Sequence, residues 1–509
     1  MNIASQVKQY LTKGALTKAH PLLVSWLQQD PQNPQAWGFL AELNLLAGDK
    51  SKALKIISKS LSLAPSLPMT LQLAKTALLA GDHQQCDNIL KGLTLSTAHP
   101  LSASAIELDL AANLWLRLNQ PYQALSLFEQ AHSLDDLNTN ISLNYAICLK
   151  MAGKIQGAEK LFESIIKQQP LHELAHLSLA ELKADKSNTI PIALEKALEK
   201  KPQSQYLNYA KALYLEAQKD YKAAWQGFKL SKETVAQSVQ FETNAHHQFC
   251  LHRIQSSISE KLDAFITNTS KNRNQAVDPI FIVGMPRSGT SLLEQLLATQ
   301  PRLKALGELS FLPQLLNIKA GFYKQTKLTL SDTPELLLKQ YTQLLNQDNK
   351  QADLRQNNIR GIDKQPFNLY FVDVILKLFP NAKIIWLVRN KFDTCVGNFR
   401  QAYQVNSPFH HYSFDWQHIN ALYDDFIKLG THWEQTFSES FMRVDYENLV
   451  SEPKTQLSAL FHFLNVEAED DPLEFHQHNY FSATASKLQI RQPLNTRSIN
   501  KFKSIYPTN

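Results

Sequence analysis

Small and apolar side chains recur about every 34 positions through the first 230 residues of this chain. Ala124 and Phe128 recur 34 positions later as Ala158 and Phe162. This period is typical of helix–turn–helix repeats, because one helix pair buries its apolar face only by stacking on the next pair. The pattern therefore predicts an α-solenoid with a concave surface over residues 1–232.

These positions resemble the tetratricopeptide repeat family. Other markers agree with that resemblance: Gly81 follows Gly48 after 33 positions, a shortened copy ends near Pro202, and a last copy spans Tyr206 to Phe228. The resemblance implies a groove that holds a protein or peptide partner. The alternative is a scaffold whose groove holds only the catalytic domain of the same chain.

The repeat pattern stops before residue 233. A helix is predicted from Phe241 to Ile266, followed by a polar stretch around Asn268 to Gln275 that is typical of a linker. We therefore expect a helical and polar linker over residues 233–277 and a second domain over residues 278–509.

The second domain alternates apolar strands with helical patterns. Ile280–Val283 and Lys383–Val388 are unalternated apolar runs, which are typical of buried parallel strands, and a third strand is predicted to end at Val444. Helices are predicted over Phe371–Phe379 and Thr455–Leu464. This order predicts an α/β domain of the P-loop type with a mainly parallel sheet, in which the loops after the first two strands share one edge.

The loop after the first strand has the spacing of a phosphate-binding loop. It runs from Gly284 to Gly289 between an apolar strand and a helix, so several backbone N–H groups point at one place. Thr290 stands where a nucleotide triphosphatase has its lysine, and Arg287 is the cation instead. The loop is therefore predicted to hold phosphate without ATPase chemistry.

Composition narrows the class of protein further. The chain has 509 residues, 44% of them hydrophobic, and a net charge of +6 that is not gathered into a basic tail, so we expect no nucleic-acid partner. The longest apolar stretches are too short for a membrane span, and the N-terminus has no apolar core of signal-peptide length, which predicts a cytoplasmic protein without a membrane partner. The four cysteines lack metal-site spacing, so no metal is expected.

With these features the second domain resembles the sulfotransferases that use 3′-phosphoadenosine-5′-phosphosulfate (PAPS), in the branch that contains protein-tyrosine sulfotransferases. The resemblance covers about Pro279 to the C-terminus. It implies that PAPS is the sulfuryl donor, that no metal is needed, and that the 5′ side of PAPS is bound by the residues of one loop: Arg287, Ser288, Gly289, Thr290 and Ser291.

In-line transfer of a sulfuryl group needs a base for the acceptor hydroxyl and positive charge on the leaving phosphate oxygen. Glu308, 21 residues beyond Arg287, matches the family's catalytic glutamate, and Lys364 matches the lysine that stabilises the leaving group. Arg287 is expected to join them in catalysis. By themselves these residues would be a helix-start glutamate and a surface lysine.

The resemblance also implies the 3′-phosphate side of the site. Arg389 matches the arginine that binds this phosphate, and Tyr446 matches a tyrosine near the nucleotide. Ser486 and Lys501 match the C-terminal loop that closes over PAPS.

This chain departs from the family pattern after Arg389, where the family usually has an acidic residue or a histidine and then a proline, and this chain has Asn390 and Lys391. The family has a serine eight positions after the arginine, and here that position is Gly397. This change puts the hydroxyl contact in doubt, with Thr394, Asn398 or Lys391 as candidate replacements.

The sequence leaves several functions open. A tyrosine hydroxyl of a protein or peptide is the acceptor that the resemblance implies, and a carbohydrate or small-molecule hydroxyl is the alternative. A repeat scaffold with a degenerate nucleotide-binding domain is a rival from another class. A kinase is disfavoured because the P-loop lysine is missing.

Overall fold

The structure is a computed structural model of the chain. It describes residues 2–63, 65–93, 103–187, 189–255, 279–316, 318, 321–324, 359–405, 407–477, 492–503 and 505–506. The chain divides into two compact units, Met1–Lys150 and Met151–Asn509, which are described separately. The predicted polar linker at 268–275 lies outside the described residues.

The first unit consists of antiparallel helix pairs. Its helices are α1 (Ile3–Thr12), α2 (Leu16–Gln29), α3 (Pro34–Leu46), α4 (Lys50–Leu61), α5 (Leu67–Ala80), α6 (His83–Gly92), α7 (Ala105–Arg117), α8 (Pro121–Leu134) and α9 (Thr139–Met151), the last of which crosses the unit boundary.

The repeated sequence positions have repeated structural roles. Gly48 and Asn119 occupy the turns of the α3–α4 and α7–α8 pairs with left-handed backbone angles, φ +89° and +60°. The next helix then places a small residue against its partner, as Ala53 and Ala124 do, both fully buried. Phe128 is fully buried one turn after Ala124. A local turn followed by a buried small residue makes each pair pack alike, and this is why the period is visible in the sequence.

The second unit begins with further helices of the same kind. They are α10 (Ile155–Gln168), α11 (Glu173–Lys183), α12 (Ile192–Lys200), α13 (Gln205–Ala217), α14 (Tyr221–Glu233) and α15 (Thr243–Gln255), with short 3₁₀ helices at Ala184–Lys186 and Ala236–Ser238. Ala158, Phe162, Ala224 and Phe228 are fully buried, as their counterparts in the first unit are.

A five-stranded parallel sheet follows. The strands are β1 (Ile280–Gly284), β2 (Leu303–Ala305), β3 (Arg360–Asp363), β4 (Lys383–Val388) and β5 (Phe441–Asp445), in the spatial order β2-β3-β1-β4-β5. The predicted fold class, a helical solenoid before an α/β domain with a parallel sheet, is confirmed. The strands β2 and β3 were missed because three or four residues carry too little periodicity.

Helices cover both faces of the sheet. They are α16 (Thr290–Leu297), α17 (Phe311–Leu315), α18 (Val372–Leu378), α19 (Lys391–Phe399), α20 (Trp416–Thr436), α21 (Tyr446–Ser451) and α22 (Pro453–Leu464), with 3₁₀ helices at Phe322–Lys324, Pro366–Phe371, Pro408–Phe414 and Pro472–Gln477. None of the described helices combines the length and the apolar character that a membrane crossing needs.

The strand β1 explains how one sheet serves two cores. Its side chains alternate, with Phe281 and Val283 in one apolar cluster and Ile280 and Ile282 in the other. All four are fully buried, as expected for a central parallel strand with helices on both faces. In the pairing of β1 with β4, Gly284 lies opposite Leu387, so the loops after both strands leave the sheet at the same edge.

The helix α15 belongs to this core although it falls in the predicted linker. His246 is fully enclosed, with its Nδ1 atom 2.8 Å from Asp425 and its Nε2 atom 2.7 Å from the Tyr370 hydroxyl. Cys250 is buried beside it, and all four cysteines are buried and unbridged. The imidazole thus has a hydrogen-bond partner on each ring nitrogen, and the group is a structural network. The predicted domain boundaries remain a prediction.

Candidate active site

The loop from Gly284 to Ser291 wraps the N-terminus of α16. Gly289 precedes the helix with φ +107°, and a Cβ atom there would lie 2.6 Å from the Tyr446 ring. Only glycine therefore allows both the turn and this close approach. Ser288 is 1% exposed, and its hydroxyl has no hydrogen-bond partner among the described residues. A buried hydroxyl at a helix N-terminus without a partner fits an anionic ligand.

Arg287 provides the positive charge of this loop. Its backbone is left-handed, with φ +69°, which is uncommon for a residue with a side chain. Burial lowers the pKa of its guanidinium, and the nearby cations Arg400 and Arg389 lower it further, against the opposing influence of Tyr403 and Tyr209. Several cations held this close together favour an anion among them. Thr290 and Ser291 lie buried in the first turn of α16.

The second loop brings Arg389 to the same place. Its guanidinium lies 4.5 Å over the Tyr446 ring, and its Nη2 atom donates to the Ser498 carbonyl oxygen at 2.6 Å. Tyr446 also touches Gly289, so one aromatic ring lies against both loops. The structure therefore places five of the predicted site residues beside one another: Arg287, Ser288, Gly289, Arg389 and Tyr446.

The C-terminal segment completes this cationic region. The backbone N–H of Phe502 donates to Asp393 at 3.0 Å, next to the Ser498 contact with Arg389. Partial desolvation and then the charge of Arg400 lower the pKa of Lys501, with a smaller effect of Arg389 in the same direction. Lys501 is thus within electrostatic range of the loop cations. The predicted nucleotide contact at Ser486 lies outside the described residues.

Gly397 faces the first loop. A Cβ atom at this position would lie 3.1 Å from the Cβ atom of Arg287. A serine at this position would therefore crowd Arg287 of the first loop, which gives a packing reason for the departure from the family pattern.

The three candidate replacements for the serine have partners within the protein. The Thr394 hydroxyl donates to the Asn390 carbonyl oxygen at 2.9 Å, and Lys391 pairs with Asp424 at 2.7 Å. Asn398 donates to the Pro286 carbonyl oxygen at 2.7 Å. In this structure Asn398 therefore braces the first loop.

Glu308 and Lys364 form a direct ion pair. The Lys364 Nζ atom lies 2.5 Å from the Glu308 Oε1 atom. The lysine side chain is fully buried, whereas 44% of the glutamate side chain is exposed. The two residues are 56 positions apart, and a backbone hydrogen bond from Lys364 to the Gly307 carbonyl oxygen at 2.9 Å aligns their segments. An accessible carboxylate thus lies beside a buried cation.

Glu294, which the sequence analysis missed, ties this pair to the phosphate loop. It lies on α16, and its Oε1 atom accepts the Gly307 backbone N–H at 2.8 Å. Burial raises the pKa of this carboxyl, and the nearby Lys364 opposes that shift. The helix that begins at the phosphate loop therefore also positions the segment that carries Glu308. A single glutamate in the apolar run TSLLEQLL was the only signal in the sequence.

Tyr403 and His410 form a second group that the sequence analysis missed. Their rings stack with centroids 4.0 Å apart and an interplanar angle of 15°. Burial raises the pKa of Tyr403, an effect that Arg287 opposes and Glu308 reinforces, so this ring lies within electrostatic range of both. Burial lowers the pKa of His410 to about 4, against the influence of Glu308. The available signal was the run of aromatic and histidine residues in PFHHYSF.

Comparison with known proteins finds similar families for two parts of the chain. Residues 279–470 match the family model described as the sulfotransferase family, and residues 10–68 and 116–182 match that of the tetratricopeptide repeat. The chain is 25% identical over 401 residues to an uncharacterized protein of Aquifex aeolicus (strain VF5), covering 77% of this chain and 52% of that protein. It is 23% identical over 275 residues to a protein-tyrosine sulfotransferase of Drosophila melanogaster, covering 50% and 53%. It thus spans about half the length of these two relatives.

A solved structure is also similar. The sulfotransferase domain of the olefin synthase from Synechococcus PCC 7002 matches with 20% identity and a TM-score of 0.34, over 47% of this chain and 92% of that domain. The stretch that matches the sulfotransferase family model thus follows the stretches that match the tetratricopeptide repeat in the same chain.

Proposed function

We propose that this protein transfers the sulfuryl group of PAPS to an acceptor hydroxyl, with a tyrosine of a protein or peptide as the acceptor. The observation that carries the proposal is the contact of Glu308 with Lys364 at 2.5 Å, held next to the phosphate loop by Glu294. The name of the Drosophila relative supports tyrosine as the acceptor, and the repeats support binding of a protein partner.

The two phosphate ends of PAPS are assigned to different loops. The 5′ end is bound by Arg287, the Ser288 hydroxyl and the N–H groups of the Gly289–Ser291 turn. The 3′-phosphate is bound by Arg389, which lies against Tyr446. The orphan hydroxyl of Ser288 and the arginine pair fit an anion at both points.

The chemistry then uses the ion pair. Glu308 takes the proton of the acceptor hydroxyl as that oxygen attacks sulfur, while the bond between sulfur and the 5′-phosphate oxygen breaks on the opposite side. Lys364 stabilises the negative charge that develops on this phosphate oxygen. An ammonium group has three N–H donors, so Lys364 can contact Glu308 and the leaving oxygen together.

The first test replaces the base. Glu308→Ala is expected to lower transfer of labelled sulfuryl groups to a tyrosine peptide by about 10³-fold or more, because general-base and orienting contributions are lost together. Binding of adenosine 3′,5′-bisphosphate, measured by calorimetry, should stay within about twofold, since Glu308 does not lie in either phosphate loop. Glu467→Ala, at an exposed position of the same domain, is the matched control.

Undiminished turnover of Glu308→Ala contradicts the assignment of the base. Native protein that binds the nucleotide but sulfates neither peptide, carbohydrate nor small phenols contradicts the proposed activity and favours the scaffold. Carbohydrate sulfation without peptide sulfation contradicts the tyrosine acceptor alone.

A further inference from the structure

Lys232 is a buried lysine on α14, the second helix of the α13–α14 pair. Lys232 is 1% exposed, and its Nζ atom donates to the Gln401 carbonyl oxygen at 2.6 Å. The ammonium group lies 4.8 Å from the Phe414 ring centroid and 5.8 Å from that of Tyr403. Among the described residues no carboxylate is paired with Lys232, and burying an ammonium group without such a partner costs free energy.

A second side chain from the same helix pair holds the same segment. Gln205 begins α13, is 7% exposed, and donates through Nε2 to the Tyr403 carbonyl oxygen at 3.1 Å. The carbonyl groups of residues 401 and 403 are thus both held from outside the stretch that matches the sulfotransferase family model. A backbone hydrogen bond from Tyr403 to the Gln401 carbonyl oxygen, at 2.9 Å, closes the turn between them.

This turn carries the Tyr403 ring to the reactive groups. The ring stacks on that of His410, and the His410 ring lies edge-on 5.6 Å from the Phe367 ring, three residues beyond Lys364. Burial raises the pKa of Tyr403, an effect that Arg287 opposes and Glu308 reinforces. Tyr403 and His410 thus form an aromatic surface on the Glu308 side of the site, and the exposed part of Glu308 is where an acceptor hydroxyl must arrive.

We propose that Lys232, together with Gln205, is a positioning residue for acceptor binding. The two side chains fix the 401–403 turn, and the Tyr403 and His410 rings then form the wall against which the acceptor is held. The inference rests on the proposed function and extends it. The helix pair α13–α14 thus contributes to the acceptor site through the turn that it holds.

The titration of Lys232 supplies a signature of this role. Burial lowers the pKa of its ammonium to about 7, so the group loses its proton as the pH rises through that value. In the part of the chain that the structure describes, the titratable groups that face it are His410, whose pKa burial lowers to about 4, and Tyr403, whose pKa burial raises. Neither changes charge between pH 6 and 8. The hydrogen bond from Lys232 to the Gln401 carbonyl oxygen therefore weakens above pH 7, and the KM for the acceptor is expected to rise there.

The test compares Lys232→Met with Lys229→Met, an exposed position one turn earlier on α14. Acceptor KM and kcat are measured with a tyrosine peptide and PAPS from pH 6 to 8, and adenosine 3′,5′-bisphosphate binding is measured by calorimetry. Lys232→Met is expected to raise the KM for the acceptor at pH 6 by about tenfold, because one charged hydrogen bond is lost. The variant should also abolish the rise of this KM with pH and leave nucleotide binding unchanged. Lys229→Met should match the native protein.

The variant is expected to fold, because methionine removes a buried charge while keeping the length of the side chain. Should it nevertheless unfold, Gln205→Met tests the same turn and is expected to raise acceptor KM several-fold. An active native enzyme whose acceptor KM and pH profile are unchanged in these variants overturns the positioning role alone. Native protein without transfer to any acceptor overturns the proposed function, and the positioning role with it.

Discussion

The two loops that meet at the carboxyl edge of the sheet differ in how they are built. The loop Gly284–Ser291 is made almost entirely by neighbours in sequence: a strand, a turn of small residues and a helix N-terminus. The region of Arg389 is assembled from distant segments, since its guanidinium rests on Tyr446 and donates to the Ser498 carbonyl oxygen. The first loop is therefore readable from sequence, whereas the second depends on tertiary packing.

The two loops also constrain each other. Gly397, on the helix after Arg389, lies where a Cβ atom would come within 3.1 Å of Arg287. The small residue on one side thus leaves room for the arginine of the other. The difference teaches that a departure from a family pattern in one loop can reflect the packing needs of its neighbour.

The largest expected effect in this comparison comes from the first loop. Arg287→Ala should weaken binding of both adenosine 3′,5′-bisphosphate and adenosine 5′-phosphate by about 100-fold, because its charge acts on the phosphate common to the two ligands. Calorimetry with each nucleotide measures this loss, and Arg302→Ala, on an exposed arginine, is the control. Equal affinities of Arg287→Ala and native protein for these nucleotides would show that the loop takes no part in nucleotide binding.

The next effect separates the loops from each other. Arg389→Ala should weaken binding of adenosine 3′,5′-bisphosphate about 30-fold and leave adenosine 5′-phosphate unaffected, because only the former has a 3′-phosphate. The ratio of the two dissociation constants is the readout. A loss shared by both nucleotides would show that the two loops do not divide the phosphates between them.

The smallest effect tests the contact between the loops. Gly397→Ala and Gly397→Ser both add a Cβ atom against Arg287, and each should weaken nucleotide binding by about three- to tenfold, since a modest steric shift moves the arginine. The difference between the two variants isolates the hydroxyl group. Serine that binds adenosine 3′,5′-bisphosphate more tightly than glycine would show that the family contact can be restored without penalty.

Much of the fold was accessible from the sequence. The repeat period predicted the helical solenoid, and the apolar runs predicted β1, β4 and the shared edge, with the third strand ending one residue later than expected, at Asp445. The helix predicted to reach Ile266 is described only as far as Gln255.

Less of the candidate site was accessible. The resemblance located Glu308 and Lys364, and the structure places them in contact across 56 positions of sequence. Glu294 and Tyr403 were missed, because a carboxyl on a buried helix and a ring in an irregular segment look ordinary until their neighbours are known. Lys232 was missed for the same reason, since its helical pattern does not distinguish it from the exposed Lys229.

By itself the sequence determined the features that depend on near neighbours. These are the helix pairs, whose turns and small residues recur locally, and the loop Gly284–Ser291, whose strand, turn and helix are contiguous. Tertiary structure alone decided which charges are buried and which residues from far along the chain meet. It placed Lys364 against Glu308, Gly397 against Arg287 and Lys232 against Gln401. The physical reason is that burial and electrostatic coupling depend on distance in space, and a linear pattern records only distance along the chain.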